Sequence, residues 1–166
     1  SVLITGASGF LGLNLAELLL GRGQKVTLVS RRAPPPLAIE AFKQLSGRFE
    51  TAQADVRDPG AVNRLFESFR PGKVVHCAAV TPGPRLEREE SIARILEVNT
   101  LGTVHVLEAS RRCGVQRFVF MSSGAVYGRH AFGQDLLDEE ETVPLPESVY
   151  AVTKYAAERI VLRIRD

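Results

Sequence analysis

Short apolar and β-branched runs alternate along this chain with longer segments whose apolar residues recur at helical spacing. Several of the short runs are apolar on both faces, which is typical of strands buried in a parallel sheet. We therefore predict strands at VLIT, KVTLVS, RFETAQAD, KVVHCAA and RFVFMSS.

The longer segments predict amphipathic helices. The clearest start signal is in DPGAVNRLFESF, because Asp58 can cap a helix and Pro59 suits its first position. The prolines of APPPLAIEAFKQLSG can precede or start a helix but not lie inside one, so any helix there is short. The other predicted helices run from about Gly9 to Leu20, from about Glu90 to Cys113, and from about Ser148 to the end of the chain. We expect the first of these to bury an apolar face formed by Phe10, Leu11, Leu15, Leu18 and Leu19.

Strands that alternate with helices predict a doubly wound α/β fold, in which helices cover both faces of a parallel sheet. Parallel strands need crossover connections, and such crossovers are helical and right-handed. The two longest irregular stretches, residues 81–90 and 128–148, both follow the ends of predicted strands. Ligands bind beyond the carboxyl ends of the strands in such sheets, so both stretches are candidate site loops.

Composition narrows the class of protein. The chain has 166 residues, 45% hydrophobic and 24% charged, which suits one compact domain with a sizeable core. Its formal net charge of +2 and the absence of a lysine- or arginine-rich run argue against nucleic acid as a partner. No apolar stretch approaches the length that crosses a membrane, so we expect no membrane partner.

The cysteines and two of the histidines are interpreted without special chemistry. Cys77 and Cys113 match no metal-ligand or redox spacing, so we expect no metal site and a cytoplasmic location. His76 lies in an apolar run and is interpreted as a core histidine with a satisfied hydrogen bond. We expect His105 to be solvated.

Three glycines in the sequence TGASGFLG lie between the first predicted strand and the first predicted helix. Gly6, Gly9 and Gly12 leave room for backbone N–H groups and the positive end of the helix to approach a pyrophosphate. The motif therefore predicts a dinucleotide-binding turn. Its spacing is G-x-x-G-x-x-G and not the more general G-x-G-x-x-G, so a tight turn without a ligand stays open as the alternative.

The end of the second predicted strand favours NADP over NAD. NAD-binding sheets normally carry an acidic residue here, which hydrogen-bonds the adenosine ribose. This chain has Ser30 in that place, followed by Arg31 and Arg32, whose guanidinium groups suit a phosphate on the ribose. The alternative is that both arginines only face solvent and that NAD is the coenzyme.

Tyr150 and Lys154 are the strongest candidates for acid–base chemistry. At a spacing of four residues they share one face of the last predicted helix, so the ammonium group can stand beside the phenol. A nearby cation stabilises the phenolate and so makes the tyrosine a better acid and base partner. Ser122 and Ser123 end an apolar strand, where a hydroxyl could hold a substrate oxygen against the tyrosine.

Six motifs occur in order along the chain: TGASGFLG, DVRD, VVHCAA, NTLGTVHVLEA, SSGAVYG and YAVTK. With these motifs the chain resembles the extended short-chain dehydrogenase/reductase family, in its epimerase/dehydratase branch. The resemblance implies a Rossmann-like, NAD(P)-binding domain over residues 1–166. It also implies further strands and a C-terminal substrate domain, so we expect a sheet that lacks its last strands.

The resemblance implies roles for single residues. Ser123 would orient the substrate, Tyr150 would be the general acid or base, and Lys154 would bind the nicotinamide ribose and favour the phenolate. Asn99 would maintain a kink in the long helix and a water-linked proton path. A turn role for Asp55 and a surface position for Asn99 stay open as alternatives. The implied coenzyme contacts are a pyrophosphate loop of Gly6, Gly9, Phe10, Leu11 and Gly12, an adenine contact from Asp55 and Val56, and Ala78 and Ala79 towards the nicotinamide ribose.

The function expected on this basis is hydride transfer between a nicotinamide and a carbon that bears a hydroxyl or carbonyl group. SSGAVYG favours a nucleotide sugar as the small-molecule substrate, because the motif is typical of epimerases and dehydratases of that class. Arg31 and Arg32 favour instead an NADPH-dependent carbonyl reductase. A non-catalytic NADP-binding sensor or scaffold is a further alternative, and the oligomeric state is left open, with a homodimer among the alternatives.

Overall fold

The computed structural model describes residues 1–81, 91–131 and 136–164. Most of the first candidate loop, residues 82–90, lies outside the described residues, as do residues 132–135 of the second and the predicted helix start at Glu90. None of the helices in the described ranges combines the length and the apolar composition that crossing a bilayer requires.

The fold is built on one parallel sheet of five strands. Its strands are β1 (Val2–Thr5), β2 (Lys25–Ser30), β3 (Arg48–Gln53), β4 (Lys73–His76) and β5 (Arg117–Phe120). They stand in the order β3-β2-β1-β4-β5, and every neighbouring pair is parallel. The central strand β1 is buried along its whole length. This order confirms the predicted doubly wound α/β fold.

Strands β4 and β5 start where predicted but end earlier. The last pair of the β1–β4 ladder joins Thr5 to His76, and the last pair of the β4–β5 ladder joins His76 to Phe120. β1 ends at Thr5 because the chain turns at Gly6, which has φ +68°. The N–H groups of Cys77 and Met121 still donate to the carbonyl oxygens of Thr5 and His76, at 3.2 and 3.1 Å. Beyond these two residues the chain leaves the sheet although its sequence pattern continues.

The described residues form six α-helices. They are α1 (Phe10–Gly21), α2 (Pro36–Lys43), α3 (Pro59–Phe69), α4 (Ile92–Leu96), α5 (Gly102–Arg112) and α6 (Val149–Arg163). Asp58 caps α3 as predicted, because its Oδ1 accepts from the Ala61 N–H at 3.0 Å. Ser148 caps α6 in the same way, through an Oγ that accepts from the Ala151 N–H at 3.1 Å. α2 has eight residues, which confirms the short helix expected after the prolines.

The buried face of α1 differs from the predicted one. Gly12, Ala16 and Leu20 form the buried stripe of this helix. Small residues at the first two of these positions let the helix backbone lie close to its neighbours. The prediction is wrong for Phe10, Leu11 and Leu18, which are 81%, 53% and 50% exposed.

The predicted long helix is interrupted by a π-helical turn. α4 leads into the segment Glu97–Leu101, which has π-helical geometry, and α5 follows directly. The N–H of Gly102 donates to the carbonyl oxygen of Glu97, five residues back. Such turns add one residue to a helix and often lie at functional sites. The irregularity of this helix is thus centred on Asn99.

Two compact units make up the chain. The first unit comprises Ser1–Ala78 and His105–Met121, and it holds the sheet. Its main apolar cluster contains Val2, Ile4, Ala7, Ala16, Leu20, Val26, Leu28 and Phe42. The second unit comprises Ala79–Val104 and Ser122–Asp166. Within it, α4, the π-helical turn and a 3₁₀ segment (Gly124–Ala131), which is kinked at the non-helical Gly128, pack against α6.

Candidate functional site

The glycine turn between β1 and α1 has no room for a side chain at two positions. Gly6 has φ +68°, and a Cβ there would lie 2.7 Å from the backbone N of Ala78. A Cβ on Gly12 would lie 2.5 Å from the carbonyl oxygen of Gly6. Gly9 precedes α1, and no side chain caps the helix at that point. The first N–H groups of α1 therefore point to water or to a ligand.

Thr5 and His76 support this turn from the ends of β1 and β4. The Ala78 N–H donates to Thr5 Oγ1 at 3.2 Å, and Thr5 Oγ1 lies 2.7 Å from His76 Nδ1. His76 is 0% exposed, and its ring stacks on Phe120 with the ring centroids 6.1 Å apart. The prediction of a satisfied core histidine is confirmed, and its contact with Thr5 helps to hold the Ala78 backbone beside Gly6.

Ser30 shapes the loop that carries Arg31 and Arg32. Its buried hydroxyl donates to the Arg32 carbonyl oxygen at 2.5 Å, and Gln53 Nε2 donates to the Arg31 carbonyl oxygen at 2.8 Å. Both arginine side chains are exposed. Among residues 1–81, 91–131 and 136–164, neither guanidinium group forms an ion pair. A fixed backbone thus presents two positive charges beside the end of β2.

Asp55 organises a tight turn after β3. Its carboxylate accepts from Arg57 Nη2 at 2.8 Å and from Arg57 Nε at 3.1 Å, and Oδ1 also accepts from the Arg57 N–H at 3.0 Å. These hydrogen bonds hold the pKa of Asp55 below its ordinary value, against the opposing effect of partial burial. The charges of Arg57 and Arg31 lower the pKa of Asp55 further. The turn role left open by the sequence is therefore present.

His105 contacts the residue that follows Asp55. Its Nδ1 lies 2.9 Å from the carbonyl oxygen of Val56, and the imidazole is half-buried. The expectation of a solvated His105 is wrong. Because a carbonyl oxygen only accepts, Nδ1 carries a proton in this contact. The contact holds the turn at Val56.

Asn99 in the second unit makes three side-chain hydrogen bonds, although it is only 1% exposed. Its Oδ1 accepts from the Val80 N–H at 2.7 Å, and its Nδ2 donates to the Val80 carbonyl oxygen at 3.0 Å and to Thr153 Oγ1 at 3.1 Å. An N–H only donates and a carbonyl oxygen only accepts, so the amide has one orientation. Asn99 is therefore not a surface group, and it links Val80 to α6.

Ser122 and Ser123 use their hydroxyl groups differently. Ser122 donates its proton to the carboxylate of Glu158 on α6. Ser123 Oγ accepts from the Ala125 N–H at 3.2 Å, which uses a lone pair of the oxygen and not its proton. The hydroxyl proton of Ser123 can therefore be donated to a ligand, whereas that of Ser122 is bonded to Glu158.

The 3₁₀ segment after Ser123 is closed against residues 145–147. Gly128 has φ +53°, and a Cβ there would overlap the carbonyl oxygen of Leu145. Next to it, the guanidinium group of Arg129 pairs with the carboxylate of Glu147. Glycine is required at the end of SSGAVYG for this close approach.

Tyr150 and Lys154 lie one turn apart on α6, the spacing that the sequence predicts. Lys154 is only 3% exposed, whereas Tyr150 is half-buried. Burial raises the pKa of Tyr127, which lies in the 3₁₀ segment, and the charges of Glu139, Glu158 and Asp138 raise it further. Tyr127 is therefore disfavoured as a proton-transfer residue.

The predicted site residues fall into both compact units. The first unit holds Gly6, Gly9, Phe10, Leu11, Gly12, Ser30, Arg31, Arg32, Asp55, Val56 and Ala78. The second unit holds Ala79, Asn99, Ser123, Tyr150 and Lys154. Sequence reasoning missed Thr153, although it lies inside the YAVTK motif, and Arg57, although it lies inside DVRD. Within the described parts of the chain, no group of three His, Cys, Asp or Glu side chains could hold a metal ion.

Comparison with known proteins identifies the family. Residues 2–166 match the model of the NAD dependent epimerase/dehydratase family. The chain is 35% identical to a 3β-hydroxysteroid dehydrogenase/Δ5→4-isomerase of Mycobacterium tuberculosis, over 97% of this chain and 42% of that protein. It is 32% identical to a GDP-6-deoxy-D-mannose reductase of Pseudomonas aeruginosa, over 96% of this chain and 45% of that protein. The chain thus spans less than half the length of these relatives.

A solved structure shares both fold and sequence with this chain. The UDP-glucose 4-epimerase of Thermus thermophilus, in complex with NAD, aligns with a TM-score of 0.78 and 34% identity. The alignment covers 98% of this chain and 50% of that one. These similarities confirm the resemblance that the six motifs indicate. The chain belongs to the NAD dependent epimerase/dehydratase family, within the extended short-chain dehydrogenase/reductase class.

Proposed function

We propose that this chain binds a nicotinamide dinucleotide and transfers hydride between it and a substrate carbon that bears a hydroxyl or carbonyl group. The main support is the hydrogen-bonded path from Asn99 through Thr153 to the Tyr150 carbonyl oxygen, which joins two of the proposed catalytic residues. Relatives named for dehydrogenation, reduction and epimerisation support the same chemistry. These reactions share hydride transfer at a carbon that carries oxygen.

The glycine turn is proposed to bind the pyrophosphate of the coenzyme. Its backbone suits that group, because side chains are excluded at Gly6 and Gly12 and because, among the described residues, no side chain makes a capping hydrogen bond at Gly9. Negative charge is favoured at a helix N-terminus. Phe10 and Leu11 are the first two residues of that helix, and we propose that they contact the pyrophosphate as part of the same loop. We further propose that Asp55 and Val56 contact the adenine, and that Ala78 and Ala79 line the path towards the nicotinamide ribose.

Tyr150 is proposed to move the proton. When the substrate is oxidised, the phenolate takes the proton of the substrate hydroxyl while hydride leaves the carbon that bears it, and the phenol returns this proton in the reverse direction. The bound coenzyme supplies the nicotinamide ring that accepts or returns the hydride. Lys154, whose side chain is almost fully buried, is proposed to bind the nicotinamide ribose. Ser123 orients the substrate oxygen with the donor that its hydroxyl retains.

NADP is proposed as the preferred coenzyme. Ser30 stands where an acidic residue would receive a ribose hydroxyl, and its own hydroxyl donates to the Arg32 carbonyl oxygen. The exposed guanidinium groups of Arg31 and Arg32 can bind a phosphate on that ribose. The same observation favours an NADPH-dependent carbonyl reductase as the second candidate function. The related epimerase structure contains NAD, so coenzyme choice is tested separately below.

The proposed substrate is a nucleotide sugar, with a 3β-hydroxysteroid as the second candidate. The first follows from SSGAVYG and from the related UDP-glucose 4-epimerase and GDP-6-deoxy-D-mannose reductase. The second follows from the related 3β-hydroxysteroid dehydrogenase. Both substrates carry a secondary hydroxyl that Tyr150 could deprotonate. A cytoplasmic location and a homodimer stay predictions.

The test compares Tyr150→Phe with Tyr155→Phe in the full-length protein. Both variants remove one phenolic hydroxyl from α6, but only the first removes the proposed proton-transfer group. The assay follows product formation from UDP-glucose, a GDP-deoxysugar and a 3β-hydroxysteroid, each with NAD and with NADP. We expect Tyr150→Phe to lower kcat by about 10²–10⁴-fold while coenzyme binding persists, and Tyr155→Phe to keep the wild-type rate.

Two results would contradict the proposal. Wild-type turnover by Tyr150→Phe would remove the proposed role of that phenol. A wild-type protein that binds the coenzyme but converts none of the three substrates, and reduces no ketone or aldehyde with NADPH, would favour a sensor or scaffold.

A further inference from the structure

Thr153 lies between the two proposed catalytic residues of α6 and is only 1% exposed. Its hydroxyl accepts from Asn99 Nδ2 at 3.1 Å and donates to the Tyr150 carbonyl oxygen at 2.8 Å. The amide N–H of Asn99 can only donate, so the Thr153 oxygen must accept and its proton is left for Tyr150. Both directions are therefore fixed, and with them the rotamer of Thr153.

A second bond holds the backbone of the same residue. Thr100 Oγ1 donates to the Thr153 carbonyl oxygen at 3.3 Å. Asn99 and Thr100 are consecutive residues of the π-helical turn, and both reach Thr153. The carbonyl oxygen of Asn99 is in turn bonded by Thr103 Oγ1 at 2.7 Å. The π-helical turn thus forms hydrogen bonds to both the side chain and the main chain of Thr153 on α6.

These two hydrogen bonds fix the rotation of α6 about its own axis. Lys154 follows Thr153 directly, and Tyr150 precedes it by three residues, so both side chains rotate with Thr153. A helix with its side chains has a radius of about 5–6 Å, so a rotation of about 10° moves a side-chain end by about 1 Å. A misplacement of about 1 Å can slow a reaction about 100-fold.

We propose that Thr153 is a positioning residue, which holds α6 at the rotation that brings Tyr150 and Lys154 to the reacting atoms. The proposal rests on the proposed function for the identity of the reaction. It assigns a role to the hydroxyl of Thr153 itself, and not only to the residues on either side of it.

The test uses Thr153→Val and Thr153→Ser in the full-length protein. Valine keeps the branched shape of threonine and has a similar helix propensity, but it loses both hydrogen bonds. Serine restores the hydroxyl. Ser110→Ala is the control, because Ser110 is also buried and donates to a carbonyl oxygen of its own helix, that of Val106 at 2.7 Å. We measure kcat, KM and thermal stability for all three variants.

We expect Thr153→Val to lower kcat about 10- to 100-fold with little change in the substrate KM. Thr153→Ser should return kcat to near the wild-type value, and Ser110→Ala should leave it unchanged. A hydroxyl that only stabilises the fold would lower the melting temperature and leave kcat intact at low temperature. That result, or a loss of kcat that serine does not rescue, would overturn the proposal.

A second measurement does not depend on turnover. The affinity for NADPH and NADH is measured by fluorescence titration of wild type, Thr153→Val, Thr153→Ser and Lys154→Met. We expect Thr153→Val to weaken binding towards the Lys154→Met value, and serine to restore it. If the wild type binds the coenzyme but turns over no substrate, the proposed function fails, and the titration still decides the role of Thr153. If Thr153→Val bound NADPH and NADH with wild-type affinity, the proposed positioning role of Thr153 would be overturned.

Discussion

The side-chain amide of Asn99 pairs with both backbone polar groups of Val80. The Val80 N–H donates to Oδ1 at 2.7 Å, and Nδ2 donates to the Val80 carbonyl oxygen at 3.0 Å. Val80 has left the sheet, so no neighbouring strand satisfies these groups. The side-chain amide of Asn99 therefore supplies the two hydrogen bonds that a neighbouring strand would otherwise give Val80.

We expect Asn99→Leu to destabilise the protein by about 2 kcal/mol. Leucine has a similar branched shape but leaves the half-buried N–H and carbonyl group of Val80 without these partners, and a polar group that loses its partner away from water costs about 1–3 kcal/mol. Asn14→Leu is the matched control, because within the described part of the chain the exposed Asn14 bonds only to the Phe10 carbonyl oxygen of its own helix. Equilibrium urea unfolding of the full-length protein measures both. Equal losses in the two variants would show that Val80 does not depend on Asn99.

Two glycines of α1 provide a test of the close packing at the glycine turn. A Cβ on Gly12 would lie 2.5 Å from the Gly6 carbonyl oxygen, whereas a Cβ on Gly21 would meet nothing within 4 Å. We expect Gly12→Ala to lower the free energy of unfolding by about 1–3 kcal/mol and to weaken coenzyme binding, because only backbone movement relieves the overlap. Gly21→Ala should be neutral or stabilising by up to about 1 kcal/mol, since alanine favours the helix.

Urea unfolding and coenzyme titration of both variants check this prediction. If Gly12→Ala is as stable as Gly21→Ala and binds coenzyme equally well, the backbone around Gly6 is not as tightly packed as the distances indicate.

Local signals in the sequence predict where helices begin better than where strands end. Asp58 and Ser148 mark the starts of α3 and α6, because a cap acts on N–H groups only three residues away. The end of β4 depends on β1, which lies far from it in the sequence and stops pairing at Thr5. The residues after His76 keep a strand-like sequence pattern, so the sequence does not indicate that β4 ends there. Strand ends are therefore set by partners that periodicity does not show.

The candidate site shows the same division. The motifs predict the proposed chemistry of Tyr150 and Lys154, because their spacing on one helix is local. The burial of Asn99 depends on Val80 and Thr153, which are 19 and 54 residues away. The partner of His105 is the backbone oxygen of Val56, and every residue carries such an oxygen. A hydrogen bond to a main-chain atom that is distant in the sequence does not depend on the type of the partner residue, so the sequence pattern cannot predict it.

The contact between Asp55 and Arg57 predicts a dependence of stability on acid. The pKa of Asp55 is lowered in the folded protein, so the folded state holds this proton less tightly than the unfolded chain. The resulting stabilisation is fully present above the unfolded pKa of about 3.9 and is lost as the pH falls through the lower folded value. We therefore expect Asp55→Asn to be less stable than wild type at neutral pH, with the difference shrinking below about pH 4.

Urea unfolding as a function of pH measures this difference. Asparagine keeps the oxygen that accepts from the Arg57 N–H, so the turn geometry is preserved while the charge is lost. A difference between wild type and Asp55→Asn that stays constant down to strongly acid pH would show that the charge of Asp55 does not contribute.

The exposed pair Arg31 and Arg32 predicts coenzyme preference. Removing both guanidinium groups should weaken NADP binding about 10-fold or more and leave NAD binding nearly unchanged, because a charge-assisted hydrogen bond contributes about 1.5–3 kcal/mol and only NADP carries the phosphate. The double variant Arg31→Ala, Arg32→Ala is compared with Arg22→Ala, an exposed arginine after α1. Fluorescence titration with both reduced coenzymes gives the two dissociation constants. A wild type that prefers NADH, or a preference that survives the double substitution, would assign the coenzyme choice to other residues.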